Sequence, residues 1–443
     1  MTDVQDTNYK NVFKTLIALS IPTILEEVLS TLIQYVDTAM VGRLGEKATA
    51  SVSTTTTINW LIFALPAAIS VALLAIAAKA MGAGDEKRLK KVAGQSIFLG
   101  IGSGVILEVI ALALSPFIPI WMGAAEDIRQ AASSYFFIIS LTLFLRTSSR
   151  IFAAMIRATK DTRTPMRISV AENILNVVLN YLLIYTAGLG VTGAAIASAI
   201  SCFIGGVAMY IAFRKNKYLH CSLSDVKPDK EILTEATKIG LPALGTTFAS
   251  CMGYVVFASL VSGMGTRIFA AHSIAVSAEE IVYIPGYGLR TATSTLVGNA
   301  IGEQNKKKLK ITEELSIWIT IVIMVINGCL LYAFALPLMN FFTSSSAVAL
   351  LGADMLRLVA ISEPFFGLMI VIEGIFYGMG RTRSIFVIET FSMWCVRIVS
   401  TFICVKVLGL SLTAVWLCMI ADNVCKATLL LISFIKQERK KGS

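Results

Sequence analysis

Apolar residues run along this chain in long blocks separated by short polar connections. With about 20 apolar residues as the unit that crosses a bilayer, longer where a helix tilts, the pattern predicts spans near 14–41, 50–80, 92–115, 129–156, 166–187 and 191–213, then 235–262, 269–299, 312–338, 347–376, 386–406 and 410–435. The predicted fold is an all-α integral membrane protein of about twelve transmembrane helices. The first span breaks its own pattern, because between Ile21 and Gly45 it carries Glu26, Glu27, Gln34 and Asp37. An ionisable side chain in lipid costs a few kcal/mol or more, so such residues face a protein interior or a watery cavity. At about 100° per residue, the eleven steps from Glu26 to Asp37 return to nearly the same helical face, with about 16 Å between them along the axis. They are two stations on one face, and Glu27 points elsewhere.

The pattern also repeats. A shift of about 220 residues lays Ile21-Pro22 on Leu241-Pro242, Gly45 on Gly265, residues 80–91 on 300–311, and 161–164 on 381–384. One constant shift at four separated places marks a duplicated unit. Six spans per unit start both copies on the same side, which predicts two parallel-repeat six-helix lobes, related by an axis along the membrane normal, with a central cavity. The expected organisation is an N-lobe over 1–213, a cytoplasmic linker over 214–234 and a C-lobe over 235–443. Pro66 and the Pro285-Gly286-Tyr287-Gly288 run lie mid-span. They read either as fixed structural kinks or as bends that suit a rocking transporter.

Composition agrees: 56% of the 443 residues are hydrophobic and only 15% charged, too apolar for a soluble chain of this length. The net charge of +10 is not a nucleic-acid signature here, because the basic residues collect in alternate loops. Residues 82–91, 157–167, 214–231, 302–310, 380–384 and 436–443 are basic, whereas 115–127, 187–192 and 337–349 contain no Lys or Arg. The basic side is expected to be cytoplasmic, placing both termini inside and the protein in the cell inner (plasma) membrane; Arg43, Lys47, Arg267 and Lys406 are exceptions. The start, MTDVQDTNYKNVFK, lacks a basic n-region and a cleavage site, so the first span reads as an uncleaved insertion signal. The 8 cysteines show no metal-ligand spacing and read as small core hydrophobes.

Beyond Glu26 and Asp37, the fifth span places Asn173, Asn176 and Asn180 on one helical stripe. One reading is hydrogen-bonded glue between helices. The other is a hard-oxygen cage of amide carbonyls, the Asp37 carboxylate and the Ser198 hydroxyl, able to accept Na⁺ or to hydrogen-bond a protonated carboxyl. In the second half Glu279 and Glu280 interrupt a span, and only one of two adjacent carboxylates can look inward. Glu363 and Glu373 follow two spans later, and Arg146 and Arg150 either pair with acids or snorkel. Gln34, Tyr35, Trp60, Tyr135, Asn173, Tyr254, Glu279, Glu280 and Tyr283 are candidates for a substrate cavity, where the aromatic rings suit flat lipophilic cations or anchor at the interface. No catalytic set and no cofactor motif emerges; His220 and His272 are the only histidines. No enzyme activity and no cofactor are expected, and a monomer in the lipid bilayer is.

At VDTAMVGRLG (36–45), RATKDTRTPM (157–166), NVVLNYLLIY (176–185), LGVTGAAIAS (189–198) and IPGYGLRTATSTLVGNAIG (284–302), the sequence resembles the multidrug and toxic compound extrusion family over nearly the whole chain. The resemblance is to prokaryotic members, closer to the DinF-like branch. It implies a twelve-helix, two-lobed antiporter that expels lipophilic, often cationic, compounds against an inward Na⁺ or H⁺ gradient. It also implies that Asp37 is the coupling aspartate, with Asn176 and Ser198 as the associated amide and hydroxyl. Asn180 stands where many relatives carry a second aspartate, which leaves Glu26 as a substitute or H⁺ as the ion. The seventh-helix acid of NorM-like relatives has no counterpart between Gly240 and Gly263. The rival readings are a lipid-linked oligosaccharide flippase of the same broad superfamily, an integral-membrane enzyme, and a non-transporting receptor or scaffold.

Overall fold

A computed structural model describes residues 8–442 of the chain, and those residues are predominantly helical, with no strand among them. The helices are α1 (Tyr9–Gly42), α2 (Glu46–Gly82), α3 (Glu86–Leu114), the short α4 (Ile118–Trp121), α5 (Glu126–Ser140), α6 (Leu143–Ala158), α7 (Arg163–Asn180) and α8 (Gly190–Lys215). The second half supplies α9 (Lys230–Ser262), α10 (Thr266–Gly302), α11 (Lys306–Phe342), α12 (Ser346–Ala360), α13 (Glu363–Met379), α14 (Thr382–Phe391), α15 (Val399–Phe402) and α16 (Leu412–Gly442). More widely wound π segments extend α7 through Tyr181–Thr186 and flank α15 at Ser392–Ile398 and Ile403–Val407. Among the described residues, ten helical stretches are long and apolar enough to cross a membrane. Two bent pairs, α5 with α6 (48°) and α12 with α13 (58°), raise the number to twelve if each is one broken span.

The duplication seen in the sequence reappears in the element boundaries. α2 and α10 begin at Glu46 and Thr266 and end at Gly82 and Gly302, α3 and α11 begin at Glu86 and Lys306, and both bent pairs break at corresponding places, 141–142 and 361–362. Each of these offsets is the same as that between Gly45 and Gly265, both of which turn the chain with φ above +100°. The corners even agree where the residues do not. Gly84 (φ 66°) corresponds to Gln304 (φ 53°), and Lys160 (φ 66°) to Gly380 (φ 72°).

The helices form two compact units. One contains residues up to Ile24 with Pro242–Val297 and Asn305–Ser443; the other contains Leu25–Leu241 with Gly298–Gln304. In the second, Leu73, Ile76, Val92, Ile151, Met155 and Phe213 form the centre of the largest apolar cluster. α3 comes close to α6 there because Gly100 faces Ser148 and Gly104 faces Phe144, where a Cβ on Gly104 would lie 2.7 Å from the Phe144 Cα. In the first unit the core is built on Phe257, Leu331, Leu356, Val359, Val415 and Trp416. Large apolar side chains also cover outward faces of the spans: Ile106, Val109, Trp318, Val322, Ile326 and Phe334 are all exposed. Such faces are stable against lipid and not against water. Cys329 and Cys395 are among the exposed positions rather than in the core, since a small apolar residue is equally at home on a lipid-facing surface.

The segment between α8 and α9 is seated on α3. Gln95 is fully buried, and its amide donates to the carbonyls of Asp225 (3.0 Å) and Lys227 (2.7 Å) and accepts from the Asp229 N–H (3.1 Å). A Cβ on Gly94 would fall 2.1 Å from the Asp225 carbonyl oxygen, so the close approach requires glycine. Lys91 pairs with Asp229 at 2.9 Å and Arg88 with Glu235 at 2.5 Å.

Candidate functional site

Three polar rungs join α1 to α7 inside one unit. Nearest the start, Ser169 donates to Glu26 at 2.8 Å, and the Arg157 guanidinium reaches both Glu26 oxygens at 2.8 and 2.7 Å. One turn on, the Asn173 amide donates to Ser30 at 3.0 Å. Two turns further, the Asn180 amide donates to Asp37 at 2.8 Å. The asparagine stripe thus faces the polar face of α1, as its three- and four-residue spacing requires.

Asp37 lies at the centre of a neutral polar cluster. Asn176 and Asn180 occupy the last turn of α7 immediately before the π segment, and both are buried. As placed, the Asn176 amide nitrogen faces Ser198 (3.3 Å) and Ser201 (3.2 Å) on α8. Rotating that amide by half a turn lets it donate to both Asp37 oxygens at 2.8 and 3.1 Å while its carbonyl accepts from the two serines, the arrangement that satisfies both ends. The Asn180 side-chain oxygen is buried and accepts no hydrogen bond. Val41, Ile184 and Ala194, with Tyr135 and Met40 against them, form an apolar layer beside the cluster, and Tyr185 donates to the Met40 carbonyl at 2.8 Å. The partners of Asp37 are therefore amides, while the partner of Glu26 is a cation.

The remaining predicted residues are distributed through both units. Gln34 is exposed and Tyr35 partly buried; Trp60 is exposed, and Tyr135 belongs to the apolar layer. In the other unit Glu279 is buried and accepts from the Tyr283 hydroxyl, while Glu280 is exposed, so one of the adjacent pair looks inward. The Tyr283 ring packs on Phe366 with centroids 3.9 Å apart. Tyr254 lies under the Arg397 guanidinium at 5.6 Å, and Arg146 stacks over Phe63 at 4.5 Å. Sequence reasoning did not find Arg157, Ser169, Ser30 or Ser201, whose partners lie far along the chain. Nor did it find the buried centre in which Asp422 receives Arg397 at 2.8 Å and Lys426 at 3.1 Å; only a charge inside an apolar block could have pointed to it.

The Asp37 cluster is not duplicated. Moved by the repeat offset, Asp37, Asn176, Asn180 and Ser198 fall on Phe257, Val396, Ser400 and Cys418. Phe257 is buried and packs edge-on to His272. The architecture was copied, and the acid–amide chemistry belongs to one copy.

An all-helical chain with ten to twelve candidate spans among its described residues, and an acid–amide centre between two of them, defines a polytopic membrane protein. The MatE family model matches residues 22–182 and again 242–403, and the chain belongs to that family; it is a transporter and not an enzyme. A probable multidrug resistance protein NorM of Thermotoga maritima is 29% identical over 434 residues, covering 97% of this chain and 93% of that one. A probable multidrug resistance protein YoeA of Bacillus subtilis is 25% identical over 423 residues, covering 93% and 91%. The fold is shared with a solved structure described as the outward-facing conformation of a multidrug resistance MATE family transporter, at a TM-score of 0.92 and 24% identity over 98% of this chain and 97% of that one.

Proposed function

We propose that the protein is a secondary active exporter of lipophilic, often cationic, small molecules, driven by inward H⁺ or Na⁺, with Asp37 as the coupling carboxylate. The observation that carries this reading is the set of partners around Asp37: a carboxylate within a membrane span whose hydrogen bonds come from Asn180, and from Asn176 in its rotated orientation. An amide donates to an ionised carboxylate and, after rotation, presents a carbonyl to a cation or to a protonated acid. The buried, unsatisfied oxygen of Asn180 is an acceptor available to either. Glu26, balanced by Arg157, is proposed to hold α1 against α6, leaving Asp37 as the acid whose charge changes in the cycle. A coupling ion moves a conformational equilibrium only by binding the two states unequally, and neutralising Asp37 supplies that difference. The names borne by the relatives support drug efflux as the direction of transport. The protein is proposed to lie in the inner membrane as a monomer, with both termini and the basic loops cytoplasmic.

The test is flux of ethidium or norfloxacin in proteoliposomes under separately imposed Na⁺ and H⁺ gradients. Wild-type protein should move drug under at least one gradient, and Asp37→Asn, inserted and folded, should lose at least ten-fold of that coupled flux. Equal flux by the variant would remove Asp37 from the coupling step; no gradient-dependent flux by the wild type would remove the transport reading itself.

A further inference from the structure

Two of the cysteines meet, in the unit that lacks the acid–amide cluster. Cys404 lies in the π turn Ile403–Val407, and Cys418 in the second turn of α16. Their sulfurs are 3.7 Å apart although the residues are separated by 14 positions. The turn is held open at Cys404: the Leu408 N–H bonds back to the Ile403 carbonyl at 3.0 Å, and the Leu410 N–H to the Cys404 carbonyl at 2.8 Å. Cys418 is buried and Cys404 partly exposed beside the short connection 408–411. In the topology proposed above, that connection lies on the side away from the basic loops, where disulfides persist.

We propose that Cys404 and Cys418 form a dithiol site that a low-molecular-weight disulfide converts into an intramolecular cross-link. The Cys404 thiolate attacks one sulfur of the small disulfide, whose S–S bond breaks, and the departing thiolate takes up the proton that Cys404 released. The Cys418 thiolate then attacks the Cys404 sulfur of this mixed disulfide, forming the protein S–S bond and expelling a second small thiol, which is protonated in turn. Two cysteines are oxidised and one small disulfide is reduced to two thiols. The second step is favoured because its sulfur is already in contact with the first, an intramolecular reaction with no second encounter to wait for. The product ties the final turn of the preceding span to α16. The site is independent of the ion-coupling reading, and its test does not use transport.

Dithiodipyridine, a small membrane-permeant disulfide, is added to the purified full-length protein, and peptide masses are read without reduction. In the wild type, the peptides bearing Cys404 and Cys418 should appear linked to each other, with two thiopyridones released by the pair and no adduct left on either. Cys418→Ser should instead trap a stable adduct on Cys404. A stable wild-type adduct on Cys404, or both thiols left unreacted, would overturn the proposal.

Discussion

Gln304 and Lys160 are the two non-glycine residues with left-handed backbone among the described residues, and each corresponds in the other half to a glycine that turns the same way. Left-handed backbone costs a side-chain-bearing residue about 1 kcal/mol. Gln304→Gly should therefore stabilise the protein by about 0.5–1 kcal/mol and Gly84→Gln destabilise it by a similar amount, read as opposite shifts of the unfolding midpoint in detergent. Lys160→Gly is the less clean experiment, because Lys160 also pairs with Glu303 at 3.6 Å. At this scale Asp37 was visible in the sequence, since a charge inside an apolar block needs no partner to be noticed. Arg157 was not, because it stands 131 residues from Glu26 and reads alone as an ordinary loop-flanking cation.

Among the elements, the segment between α8 and α9 carries the clearest dependence on pH. The hydrogen bond and charge of Lys91 hold the Asp229 carboxyl below its ordinary range, and hydrogen bonds from Ser222 do the same for Asp225. A lowered folded-state value means that the stabilisation is complete above the ordinary carboxylate range and is lost as pH falls through the lowered value. Both groups are only partly buried and remain screened by solvent, so the effect is small. Asp229→Asn should lower the unfolding midpoint at pH 7 by about 1 °C and flatten its fall as pH drops below the ordinary carboxylate range; an unchanged slope would show that Lys91 does not hold the carboxyl. The helices themselves were legible because apolar blocks of membrane length have one solution in lipid. Hidden from that pattern were the 48° bend, whose break at 141–142 has no proline beside it, the 58° bend, marked only by Pro364 just after its break at 361–362, and the π segments, which differ from α-helix only in which carbonyl each N–H reaches.

Across the whole molecule the two halves share boundaries more faithfully than side chains. Glu108 accepts the Phe144 N–H at 2.9 Å, and its counterpart is Gly328; Leu143 has Glu363 as its counterpart, and a Cβ on Gly328 would lie 3.3 Å from the Glu363 Cβ. The acid has changed helices while the junction is preserved. The coupling acid has no such compensation, because its counterpart is the buried Phe257, with Arg397 over its ring at 5.6 Å. An aspartate placed there would face a permanent cation and keep its charge. Asp37→Asn with Phe257→Asp should thus remain without coupled flux and lose several kcal/mol of stability; recovered flux in that double variant would mean that either half can host the coupling chemistry. On the proposed reading, one carboxylate serves both copies of the scaffold, and each turnover returns one monovalent ion. Exchange for a singly charged passenger is then electrically silent and indifferent to membrane voltage, whereas a neutral passenger makes the same cycle carry current, so a voltage clamp distinguishes the two cargoes without identifying either.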